Sequence, residues 1–124
     1  MPDTYSDILQ EHFENPRNIG VIEQADAEAE VYNPACGDTM HLYLRIEDDR
    51  IVEAKFQTQG CPAAIAAGSV LTELIVGKSV DESLEVKEAV IAQKLGGLPP
   101  QKAHSAVLTE DAIKAAIAYY RQHQ

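Results

Sequence analysis

Apolar positions change their period twice along the chain, and each change marks a boundary between kinds of secondary structure. From Thr4 to Glu14, Ile8, Leu9, His12 and Phe13 fall on one side at helical spacing, which predicts a short helix. Asn15-Pro16 ends it, because proline disfavours the helical conformation for the residue before it. After a loop from Arg17 to Ala25 the period becomes two. Ala27, Ala29 and Val31 form the first such segment, Met40, Leu42, Leu44 and Ile46 the second, and Val52, Ala54, Phe56 and Thr58 the third. Glu28, Glu30, His41, Tyr43, Arg45, Glu53, Lys55 and Gln57 alternate with them, so each strand is expected to have one dry and one wet face. Asp48-Asp49 supplies a hairpin turn between the second and third strands, and the three make an antiparallel meander.

Beyond Gly60 the helical period returns. Pro62 suits the first helical position, which makes Cys61 the N-cap, and Gly77 closes the helix. Ala63, Ala64, Ala66, Ala67, Gly68 and Ser69 leave little side chain to separate this helix from the sheet, so the two should pack closely. Short helices are expected from Asp81 to about Glu85 and from Lys87 to Leu95, before a break at Gly96-Gly97. A long last helix is expected to begin at Pro99-Pro100, with Val107, Ile113, Ala116, Ile117 and Tyr120 on its buried face. Strands followed by helices predict an α+β fold: a three-stranded antiparallel sheet with helices packed on one face.

The chain has 124 residues, and with no repeat or linker residues 1–124 are expected to form a single domain. Its 45% hydrophobic residues suffice for a core without a disulfide or metal staple. A formal charge of −10 with no basic block argues against binding to phosphate backbones or anionic lipid. The N-terminus has neither a cationic segment nor an apolar stretch of the kind that directs secretion, and the most apolar run, Ala63 to Val76, is broken by Gly68, Ser69, Thr72 and Glu73. A cytoplasmic protein is expected, and there two cysteines are read as free thiols or metal ligands.

Cys36 lies in Pro34-Ala35-Cys36-Gly37-Asp38, between the first two strands, with a carboxylate two residues away. A lone loop cysteine is equally well read as a small half-buried hydrophobe. Cys61 has the stronger case, since free amides and the dipole at a helix N-terminus favour a thiolate, and cysteine is an uncommon cap. His104, near the start of the last helix, is a weak signal by itself. Together Cys36, Asp38, Cys61 and His104 would supply two thiolates, a carboxylate and an imidazole, enough for a tetrahedral metal site if the fold gathers them. His12, His41 and His123 are assigned no role.

These residues resemble a family, the U-type iron-sulfur cluster assembly scaffolds, IscU and the N-terminal domain of NifU. The resemblance runs through nearly the whole chain. It is carried by Tyr5-Ser6, His12-Phe13-Glu14-Asn15-Pro16-Arg17-Asn18-Ile19-Gly20, Pro34-Ala35-Cys36-Gly37-Asp38 and Phe56-Gln57-Thr58-Gln59-Gly60-Cys61. Ala64-Ile65-Ala66, Gly77-Lys78-Ser79, Leu98-Pro99-Pro100 with Lys102, and the stretch from Glu110 to Ile117 continue it. The resemblance implies a non-enzymatic protein that receives iron and sulfur, holds a labile [2Fe-2S] cluster and passes it to acceptor proteins. A cysteine desulfurase and a specialised Hsp70-type chaperone are the implied partners, and a homodimer around a cluster is one assembly open to it. Position by position, Cys36 and Cys61 match two cluster cysteines, Asp38 the nearby aspartate and His104 the family histidine.

Two positions depart from the pattern. The family's third cysteine directly follows the histidine, and here that residue is Ser105, whose hydroxyl is a poor substitute for a thiolate and cannot carry a persulfide. The chaperone segment, usually Leu-Pro-Pro-Val-Lys, is here Leu98-Pro99-Pro100-Gln101-Lys102, with Gln101 in place of an apolar residue. Two other readings compete with the cluster scaffold. One is the same fold holding a single zinc or ferrous ion through the same four residues. The other is a thiol enzyme with Cys61 as nucleophile and His104 as base, which lacks an evident orienting residue.

Overall fold

The computed structural model describes residues 6–34, 37–99 and 102–123. Helix α1 (Asp7–Glu14) starts at Ser6, whose hydroxyl accepts the Leu9 N–H at 3.0 Å, and it stops at Asn15 ahead of Pro16. Its buried stripe is narrower than the periodicity suggests. Leu9 and His12, lying toward α2, are buried, whereas Ile8 and Phe13 stay exposed.

Strands β1 (Ala27–Asn33), β2 (Asp38–Glu47) and β3 (Arg50–Gln59) form the expected antiparallel meander in the order β1-β2-β3. The turn is Asp48-Asp49, and both residues have positive φ, 52° and 64°. That is the two-residue hairpin geometry whose twist matches the flanking strands. One position of β3 departs from simple alternation. Arg45 pairs with Glu53 but Ile46 pairs with Ile51, so Val52 is an extra residue in a bulge. The bulge turns Ile51 into the core at 0% exposure and leaves Val52, expected on the dry face, 42% exposed. Tyr43 also differs: it lies on the wet face yet is buried, stacked on His41 with ring centroids 4.3 Å apart. Burial, then the neighbouring Glu28 and Glu30 carboxylates, push its phenol pKa up.

Helix α2 (Pro62–Ile75) begins as predicted, with Cys61 as N-cap and Pro62 in the first turn, and the chain leaves it through Gly77 at φ +93°. It packs on β3, as its small residues require. Helices α3 (Val80–Ser83) and α4 (Glu88–Lys94) follow within two residues of their expected bounds. Helix α5 (His104–Gln122) lies across β1 and β2, so the helices share one face of the sheet. It begins later than Pro99, because proline at 100 disfavours helix at 99. The Lys102 N–H instead donates to the Pro99 carbonyl at 2.8 Å.

The outer edge of β3 is partly closed by the chain itself. Phe56 exchanges backbone hydrogen bonds with Asn18 and Gly20, and Ile51 does the same with Gly77 and Lys78. Among the described residues no helix is long and apolar enough to cross a membrane.

Candidate functional site

The start of β2, the end of β3 and the first turns of α2 and α5 meet at one end of the sheet. Asp38 opens β2 and is 3% exposed. Its carboxylate reaches across to the start of α2, where Oδ1 accepts the Cys61 N–H at 3.2 Å and Oδ2 lies 3.4 Å from the Cys61 Sγ. Cys61 has no side-chain cap of its own, so an aspartate from a neighbouring strand supplies the anion at this helix terminus.

Ser105, fully buried in the first turn of α5, places Oγ 3.6 Å from the same sulfur. Cys61 itself is half-buried and carries a free thiol. His104 precedes Ser105 and is half-buried, and its Nε2 is a buried polar atom without a hydrogen-bond partner among the described residues. A buried imidazole nitrogen left unpaired is costly in a folded chain, and it is chemically suited to accept a proton or bind a soft or borderline metal ion.

Of the four residues singled out from the sequence, Asp38 and Cys61 are in contact, and His104 adjoins the residue that flanks Cys61. Cys36 lies outside the described residues, as do Pro100 and Gln101 of the segment compared with the chaperone motif. Among the described residues no group of three or more His, Cys, Asp or Glu side chains stands within reach of one metal ion.

Gly60 contributes to this end of the molecule without carrying a functional group, and the residue pattern gave it no part beyond marking a boundary. The signal that could have found it is the hairpin register, which sets the end of β3 against the start of β2. His12 has no role in the residue pattern, although its position beside Leu9 on the apolar side of α1 marks it as buried. Its Nδ1 lies 2.8 Å from Ser69 Oγ and 3.2 Å from the Arg17 guanidinium, and Ser69 Oγ also accepts the Arg17 N–H at 3.0 Å. Burial, with Arg17 adding to it against the smaller pull of Glu73 and Glu11, holds the His12 pKa below its ordinary value. This network belongs to the seam of α1 and α2.

The family model described as the NifU-like N-terminal domain matches residues 4–124. The iron-sulfur cluster assembly scaffold protein IscU of Haemophilus influenzae is 47% identical over 124 aligned residues, which cover 97% of this chain and 98% of that one. IscU of Escherichia coli K12 is 47% identical over 121, covering 94% of each. IscU 1 of Archaeoglobus fulgidus is 48% identical over 120, covering 96% of this chain and 78% of its own length. Among solved structures, a NifU-like protein (N-terminal) from Brucella abortus superposes with a TM-score of 0.79 at 23% identity, covering 98% of this chain and 97% of that one. A putative iron-sulfur cluster assembly scaffold protein for the SUF system from Fervidobacterium islandicum gives a TM-score of 0.79 at 26% identity, covering 91% and 96%.

Proposed function

The chain belongs to the NifU-like N-terminal domain family, and from that premise we propose that it is an iron-sulfur cluster assembly scaffold, receiving iron and sulfur, holding a labile [2Fe-2S] cluster and giving it up to acceptor proteins. The observation that carries this reading is the buried carboxylate of Asp38 set against the Cys61 thiol at the mouth of α2. Cys36, Asp38, Cys61 and His104 are the proposed ligands. Two thiolates suit iron and sulfide, while a carboxylate oxygen is a harder donor that binds the cluster less firmly. Such a mixed set fits cargo that has to leave. The unpaired Nε2 of His104 supports its inclusion.

The proposed partners are a cysteine desulfurase, which supplies the sulfur, and the acceptor proteins that take the cluster. Recognition by an Hsp70-type chaperone is not proposed, given the polar Gln101 in the segment. No catalytic role is assigned to Cys61 or His104. The relatives are named for cluster assembly rather than for holding a single zinc or ferrous ion, so the single-ion reading is set aside.

Anaerobic reconstitution with ferrous iron and sulfide tests the reading. The expected product absorbs in the visible and contains iron and acid-labile sulfide in equal amounts. A colourless protein that takes up zinc and retains no sulfide would overturn it.

A further inference from the structure

The β2–β3 ladder pairs Thr39 with Gln59, and continuing that register by one residue sets Asp38 across from Gly60. Gly60 is not among the glycines with positive φ, so its backbone is one that other residues can adopt. The reason for glycine here is space. A Cβ built on Gly60 would overlap the Oδ1 and Cγ of Asp38 and stand 2.9 Å from its Cβ. Because the Asp38 Cβ is itself too near, turning the carboxylate aside does not fully clear the overlap.

We infer that Gly60 is a positioning residue of the site: the room left by its missing side chain is the seat that holds the Asp38 carboxylate against Cys61. Both contacts of Asp38 depend on that seat, Oδ1 on the Cys61 amide and Oδ2 beside the sulfur. With Gly60 filled, the carboxylate leaves the seat, the Cys61 amide loses its partner and Asp38 no longer borders the sulfur. Gly60 acts only through Asp38, and its influence on cargo rests on the scaffold reading proposed above.

The test is a cycle of Gly60→Ala, Asp38→Gly and the double variant, the last removing every Asp38 atom that a new Cβ would meet. In the protein without cargo, the Cys61 amide proton resonance is expected to move in Gly60→Ala toward its position in Asp38→Gly. In the reconstituted protein, transfer of the cluster to an apo-ferredoxin is expected to slow by about tenfold in Gly60→Ala, the lower end of what loss of a supporting contact costs at metal sites. The double variant should be no slower than Asp38→Gly alone. An unmoved Cys61 amide with parental transfer, or effects that multiply in the double variant, would overturn the inference. Should Gly60→Ala fail to fold, the double variant is expected to recover folding, and failure to recover it would count against the seat. If the parent takes up no cluster, the scaffold reading falls while the Cys61 amide still decides the role of Gly60.

Discussion

The ring of Phe56 occupies the space in which a side chain on Gly68 would stand. Phe56 projects from β3 with 0% exposure, and a Cβ on Gly68 would lie 2.6 Å from its Cδ2 and 2.9 Å from its Cζ. This contact lets α2 sit close on the sheet and so fixes the height of the helix terminus that carries Cys61. Gly68→Ala trades a helix-propensity gain of about 1 kcal/mol against an overpacking cost of about 1–3 kcal/mol, and an immobile ring backed by the core puts the cost at the upper end. The expected net result is a loss of about 1–2 kcal/mol in urea unfolding. A variant as stable as the parent would show that the ring can yield and that the glycine is not needed for close packing.

Much of this arrangement was legible in the residue pattern. Period-2 segments, Asp48-Asp49, Pro62 and the small residues from Ala63 to Ser69 each state a local requirement, and the structure meets them. What the pattern hid depends on contacts between distant segments. The bulge at Val52 is a property of two paired strands, and a period counted along one strand cannot register it. Burial of Tyr43 comes from ring stacking on its own face of the sheet. At the site, cysteine and histidine announce themselves by their chemistry. Gly60 is informative only once the residue across the ladder is known, and the Ser69 hydroxyl only once Arg17 and His12 are placed beside it.

His12 should make stability fall on mild acidification. Its Nδ1 accepts from Arg17 and Ser69, a pattern that a neutral ring allows and a proton on Nδ1 breaks. Since the folded-state pKa lies below the ordinary value of 6.5, the unfolded chain binds more protons than the folded one in the window just beneath that value. His12 therefore leaves stability unaffected above the window, and stability falls as pH drops through it to the lowered folded pKa. In His12→Gln this component disappears. Thermal unfolding at neutral and mildly acidic pH should show a smaller drop in Tm for His12→Gln than for the parent. Equal drops would mean that His12 does not couple folding to protons.

Glu110 ties α5 to α4. Lys87, the N-cap of α4, offers no side-chain hydrogen bond, and Glu110 Oε1 instead accepts the Glu88 N–H at 2.8 Å while Oε2 lies 2.8 Å from Lys114. The Lys114 hydrogen bond, then the Glu88 amide, hold its carboxyl pKa below the ordinary range. For a depressed carboxylate the contribution is complete above the unfolded value and is lost as pH falls through the folded one. Glu110→Ala should cost about 0.5–2 kcal/mol at neutral pH, the range for losing a helix cap. The gap between variant and parent should narrow in acid. A gap that stays constant across denaturant unfolding series from neutral to acidic pH would rule out the carboxylate as its source.

Ser105 occupies the position at which the family pattern has a third cysteine, and it lies 3.6 Å from the sulfur of Cys61. Its hydroxyl neither carries a persulfide nor matches a thiolate as an iron ligand, so only Cys36 and Cys61 remain to carry sulfur. Ser105→Cys would add a soft donor in the first turn of α5, where backbone amides not yet paired within the helix favour an ionised thiol. Cysteine is nearly isosteric with serine, which keeps the packing cost small at this fully buried position. The expected outcome of anaerobic reconstitution is a higher cluster yield and a longer-lived visible spectrum for Ser105→Cys than for the parent. Identical yield and lifetime would show that the third thiol adds nothing here and that Asp38 or His104 already completes the coordination.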